Sequence, residues 1–142
     1  MSNYSTWTRY GQSKLANILF TRELAKRYPE ITSLAIHPGS VSTSLADSFR
    51  AEHPWLDRAV GWMLPLVAAN AEVGAYNQTW AATAPVVGKA WTAKSDVKKS
   101  VTNGAYYTPV AKEGGDSKPS KDMVLAEKLW DWTEKELASK GY

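Results

Sequence analysis

Apolar residues between Trp7 and Tyr28 fall into two adjoining rows, Leu15, Ile18, Leu19 and Ala16, Phe20, Leu24, Tyr28, at helical spacing. The rows predict a helix from about Trp7 to Tyr28 with a wide apolar stripe, buried on much of its circumference. Pro29 ends it, because proline disfavours helical backbone in the residue before it. Arg22, Glu23, Lys26 and Arg27 crowd the last turns, where they are expected to reach water. Ile31 to Ile36 then reads as a short strand. Its core, Leu34-Ala35-Ile36, is apolar without alternation, as a strand covered on both faces of a parallel sheet would be.

Further along, Leu45 to Ala69 is irregular and rich in large apolar residues, among them Phe49, Trp55, Trp62 and Met63, with Pro54 and Pro65 breaking it into short pieces. The run is too interrupted for a membrane span, which needs about 20 predominantly apolar residues. Asn70 is placed to cap a further helix, with Glu72 in its first turn, Val73, Tyr76, Trp80 and Thr83 on one face, and a stop before Pro85. Asp96 to Gly104 reads as a polar loop and Ala105 to Thr108 as a strand closed by Pro109. Lys112 to Pro119 has the composition of a loop. Ser120 is positioned to cap a closing helix through about Leu137, with Leu125, Leu129 and Leu137 in one row beside Ala126 and Trp130, and Asp131 four residues before Lys135.

Composition narrows the class. The 142 residues, 44% hydrophobic, suffice for one domain with a modest core. There is no cysteine and there are two isolated histidines, which argues against a disulfide framework and against a metal site. No basic segment followed by an apolar run opens the chain, so a reducing, cytoplasmic location is expected. The net charge of +3 and pI near 9.1 come from scattered Lys and Arg. That distribution suits a solvated surface better than a nucleic-acid site.

The chemistry resides in Tyr10-Gly11-Gln12-Ser13-Lys14-Leu15-Ala16-Asn17. On a helix, Tyr10 and Lys14 share a face one turn apart, with Asn17 a further turn on. A free phenol titrates near pH ~10, and a neighbouring cation favours its ionised form, giving a proton donor or acceptor for carbonyl and alcohol chemistry. The same spacing also arises as a solvated pair. A second motif follows the first strand: His37-Pro38-Gly39-Ser40-Val41-Ser42-Thr43. By itself, Pro38-Gly39 is an ordinary turn.

Together the two motifs, YxxxK within YGQSKLAN and HPGxVxT from His37 to Thr43, resemble the C-terminal half of a short-chain dehydrogenase/reductase, nearest the retinol-dehydrogenase-like and WW-domain-oxidoreductase-like members. The resemblance implies an α/β fold: a partial Rossmann-like (NAD(P)-binding) domain over 1–142, comprising the catalytic helix, a substrate-loop region at 45–69, the last two parallel strands and a C-terminal helix. It implies NAD or NADP as cofactor and hydride transfer between the nicotinamide and a carbonyl or alcohol. Tyr10 would exchange the proton with the substrate oxygen, and Lys14 would tune Tyr10 and bind the nicotinamide ribose. Pro38 and Gly39 would bring the backbone close to the nicotinamide, Val41 would bond its carboxamide and Thr43 would add a hydroxyl contact. His37 is expected to be structural. The large side chains of 45–69 either line a pocket for a lipophilic carbonyl or alcohol or pack on the core.

The family's glycine-rich turn, catalytic serine and upstream asparagine have no counterpart here, since Ser2 and Ser5 stand too close to Tyr10 and Gly114-Gly115 follows no convincing strand. The chain alone is therefore expected to be inactive. The first helix can also pack against its copy in a partner, which permits a homo-oligomer. The competing reading is a non-catalytic module that self-associates or binds a partner through an exposed sheet edge.

Overall fold

The long helix forms where the two apolar rows place it. In the computed structural model, which describes residues 4–39, 71–84, 100–109 and 111–142, helix α1 runs Thr6–Arg27. Ser5 caps it by accepting a hydrogen bond from the Thr8 N–H at 3.2 Å, and Lys26 and Arg27 sit in the last turn, favourable to the helix dipole. Strand β1 follows at Ala35–Ile36, helix α2 at Ala71–Thr83, strand β2 at Tyr106–Thr108 and strand β3 at Lys112–Glu113. A short 3-10 turn over Lys118–Lys121 leads into helix α3, Met123–Ser139.

The three strands form one sheet in the order β1-β2-β3. The Ala35 N–H donates to the Ala105 carbonyl at 3.0 Å and the His37 N–H to the Tyr107 carbonyl at 2.8 Å, so both strands advance together and the pair is parallel. Strands β2 and β3 form an antiparallel hairpin, with the Gly114 N–H bonded to the Tyr106 carbonyl at 2.8 Å. Lys112-Glu113 was expected within a loop. Its pairing with β2 is a tertiary outcome that loop-like composition conceals. Among the described residues, no helix is long and apolar enough to cross a membrane.

The described residues divide into two units. The first holds 4–35, 84, 100–106 and 113–142. Here α1 packs along α3: Phe20 stacks on Trp130 with ring centroids 5.0 Å apart and planes 15° from parallel, and Tyr28 tilts onto the same indole. Asn103 grips the backbone before β1, accepting from the Ser33 N–H at 2.8 Å and donating to the Ile31 carbonyl at 3.0 Å. Gly104 has φ +78, and a Cβ there would stand 3.0 Å from the Ala25 side chain, so the loop can lie against α1 only without one.

Several expected faces are corrected in this unit. Glu23 was placed toward water but is buried, its Oε1 accepting from Arg27 Nε at 2.7 Å. Ser120 is not the cap of α3. Asp122 is, accepting from the Val124 and Leu125 N–H groups at 3.0 Å, while Ser120 is buried and donates to Asp116. On α3 the buried pair is Ala126 and Trp130, while Leu125 and Leu137 are exposed. Asp131 reaches Arg27 of α1 at 3.2 Å, in place of the local pairing with Lys135 that the spacing suggested.

The second unit holds 36–39, 71–83, 107–109 and 111–112. On α2, Val73 and Tyr76 are exposed, and the buried positions are Gly74 and Asn77. The inner face is therefore rotated from the expected one. Its apolar anchor is Trp80, which meets Tyr107 edge to face at 4.9 Å.

Candidate functional site

Tyr10 lies in the second turn of α1, directly after the Ser5 cap has fixed the first. The residue is 45% exposed, and its ring sits between two neighbours on the same helix face. Trp7 meets it edge to face, with centroids 6.3 Å apart and planes at 86°. On the other side the Lys14 ammonium lies 5.3 Å from the ring centroid. An exposed cation over an aromatic face contributes about 0.5–1 kcal/mol. The Ser13 hydroxyl donates to the Tyr10 carbonyl at 2.7 Å, and Asn17 is exposed one turn beyond Lys14. The helix thus brings a phenol, an ammonium and an amide to one accessible strip, a donor set suited to hydroxyl and carbonyl oxygens.

In the second unit, the backbone leaves β1 through His37, Pro38 and Gly39. Gly39 has φ +85, a conformation that side-chain-bearing residues rarely adopt, and a Cβ there would stand 3.1 Å from Pro109. The Gly39 N–H donates to Nδ1 of His37 at 2.8 Å, so His37 closes the bend with its ring. A bend just past the carboxyl end of a parallel strand is the usual ligand position in open α/β sheets. Val41, Thr43, the 45–69 region and the Asn70 cap lie outside the described residues.

The residue that sequence reasoning missed is Asn77. It is fully buried, and its Nδ2 donates to the His37 carbonyl at 2.9 Å and to the Tyr107 carbonyl at 3.3 Å. Its Oδ1 accepts from the Ala111 N–H at 3.0 Å. A row of Gly74, Asn77 and Trp80 at three-residue steps was visible in the sequence, but an amide in such a row reads as a solvent-facing position until its partners are known.

The comparisons with known proteins agree with the motifs. A short-chain dehydrogenase/reductase of Aspergillus calidoustus, drtF, is 34% identical over 92% of this chain and 40% of its own length. One from Armillaria gallica is 35% identical over 94% of this chain and 37% of its own. An uncharacterized oxidoreductase of Schizosaccharomyces pombe is 33% identical over 92% of this chain and 35% of its own. The chain therefore spans 35% to 40% of the length of these three relatives. No family model and no solved structure matches it.

Proposed function

Because this chain belongs to the short-chain dehydrogenase/reductase family and corresponds to its C-terminal portion, we propose that it carries the proton-transfer pair and the nicotinamide-facing bend of an NAD(P)-dependent carbonyl/alcohol oxidoreductase built on a Rossmann-like fold. The nicotinamide, when bound, supplies or accepts the hydride. Tyr10 exchanges a proton between its phenol oxygen and the substrate oxygen. Lys14 presents its charge to the Tyr10 ring and keeps N–H donors for the ribose hydroxyls. Pro38 and Gly39 leave a backbone surface without bulky side chains at the carboxyl end of β1, and Val41 and Thr43 add cofactor contacts further along the same loop. The apolar side chains between Leu45 and Ala69 favour a lipophilic substrate.

The observation that carries this reading is the Lys14 ammonium 5.3 Å from the Tyr10 ring on an accessible helix face. The test joins this chain to the N-terminal portion of the Armillaria relative and follows NADH and NADPH oxidation with lipophilic and polar aldehydes. Turnover is expected that Tyr10→Phe abolishes and Lys14→Met strongly reduces, while the chain alone turns over neither cofactor. Undiminished activity in Tyr10→Phe overturns the assignment, activity of the chain alone overturns its inactivity, and equal rates for both aldehyde classes overturn the lipophilic preference.

A second reading is favoured by the sheet order, which among the described residues leaves β1 at one end, and by exposed Trp7, Tyr10 and Phe20 on α1. In it, the chain is an interaction module that associates with a second copy through that strand edge and helix. Sedimentation against concentration separates the two: a monomer over the micromolar range excludes it.

A further inference from the structure

At the end of β1 the backbone ladder to β2 gives way to bonds made by side chains. The His37 N–H still bonds the Tyr107 carbonyl, but the next N–H on that side, at Gly39, turns to the His37 ring. Both the His37 carbonyl and the Tyr107 carbonyl, the latter beside the His37 N–H it already accepts, also take side-chain donors here. Asn77 supplies them, one Nδ2 group to both carbonyls at 2.9 and 3.3 Å.

Holding the His37 carbonyl has a geometric consequence. The peptide between His37 and Pro38 is planar, so fixing its oxygen fixes the whole unit, and the ring of Pro38 sets the next φ. What remains free is the ψ of Pro38 and the dihedrals of Gly39, whose N–H is already tied to the His37 ring. The other end of the amide restrains a second strained point. Ala111, at φ 63, is the one non-glycine with positive φ among the described residues, and its N–H donates to Asn77 Oδ1.

We infer that Asn77 is a positioning residue for the Pro38-Gly39 bend, locking its backbone in the form that meets the nicotinamide. The cofactor part of this inference rests on the function proposed above.

Asn77→Asp keeps the acceptor for Ala111 and removes both donors, whereas Asn77→Leu removes all three bonds at similar volume. Amide hydrogen exchange is read in the 142-residue chain by NMR, beside its affinity for nicotinamide mononucleotide. In Asn77→Asp the Gly39 amide is expected to exchange about tenfold faster or more, with Ala111 and Ala35 still protected. In Asn77→Leu both Gly39 and Ala111 are released. Nicotinamide mononucleotide binding weakens about tenfold in both variants, the scale of one lost positioning contact.

Unchanged Gly39 exchange in Asn77→Asp overturns the inference. So does an equal rise at Ala35, which would report general unfolding. One measurement needs no substitution: the side-chain amide protons of Asn77 must exchange together with the Gly39 amide, and separate rates overturn the inference even if the variants do not fold. If the unsubstituted chain binds no nicotinamide mononucleotide while the exchange pattern holds, the nicotinamide reading fails and the hold of Asn77 on the bend stands. If binding occurs and is untouched in Asn77→Asp despite a loosened bend, the positioning role is overturned.

Discussion

Arg27 Nε lies 2.7 Å from Glu23 Oε1, one turn earlier on α1, and holds a carboxylate that is 1% exposed. The second oxygen, Oε2, is buried without a hydrogen-bond partner among the described residues. Glu23 is the first cause raising the Arg27 guanidinium above its ordinary range, with burial opposing and Asp131 and Glu134 adding to the rise. Removing one member of such a pair strands the other's charge, while replacing both by apolar residues relieves it. Arg27→Met is expected to lower the urea midpoint, and the double variant Glu23→Met/Arg27→Met to recover most of the loss. A double variant worse than Arg27→Met alone would contradict this account of the pair.

Asp116 gives the chain an acid-sensitive anchor. Its burial pushes the carboxyl up, but the Ser120 hydroxyl, a backbone N–H, Arg22 at 2.8 Å and Lys121 outweigh it and hold the group below its ordinary value of 3.8. A depressed carboxyl adds stability that is present above its unfolded value and is lost as pH falls through the folded one. The urea midpoint should therefore drop steeply below about pH 4. Asp116→Asn should start lower at neutral pH and show a shallower fall over that window.

Gly104 and Gly114 separate backbone strain from crowding. Both have positive φ, +78 and +94, but a Cβ at Gly104 meets Ala25 at 3.0 Å while nothing among the described residues stands within 4 Å of one at Gly114. Gly114→Ala should cost about 1–2 kcal/mol from the left-handed backbone alone. Gly104→Ala should cost more, and Ala25→Gly should restore the difference. Calorimetric melting of the three variants decides it.

Trp130 joins α3 to α1, 8% exposed, stacked on Phe20 and with its indole N–H donated to Glu134 at 2.7 Å. Trp130→Ala is expected to cost about 3–5 kcal/mol, within the range for truncating a buried aromatic. Trp130→Phe should cost clearly less, because it keeps the stack and loses only the N–H bond. Equal losses in urea titrations would shift the weight from packing to that bond.

Replacing the helix cap tests how the candidate site is supported. Ser5→Ala removes the acceptor for the Thr8 N–H and should cost about 1 kcal/mol. Amide exchange should quicken in the first turn of α1 and leave the Leu19 to Glu23 segment unchanged. Uniform quickening along α1 would mean that the cap acts on the whole helix.

Much of the site could be read from the residues in order. The Tyr10 and Lys14 pair needs only helical spacing, and the structure places the ammonium over the ring. The helix expected from about Trp7 to Tyr28 on its apolar rows and Pro29 runs Thr6–Arg27, while its Ser5 cap was not read from the sequence. The bend at Gly39 follows from Pro-Gly after a strand. The family, too, was legible in two short motifs.

What sequence order could not reveal is which polar groups turn inward. Glu23, Asn77 and Ser120 are buried. Periodicity ranks positions by the apolar character of their own row and carries no information about a donor or acceptor that arrives from elsewhere. Asn77 is buried because carbonyls and an N–H at His37, Tyr107 and Ala111, 30 or more residues away along the chain, converge on one amide. Helices and motif are set by neighbours within a turn or two. The hold on the bend exists only once distant backbone groups share the same small volume, because burying an amide is favourable only when each of its bonds is made there.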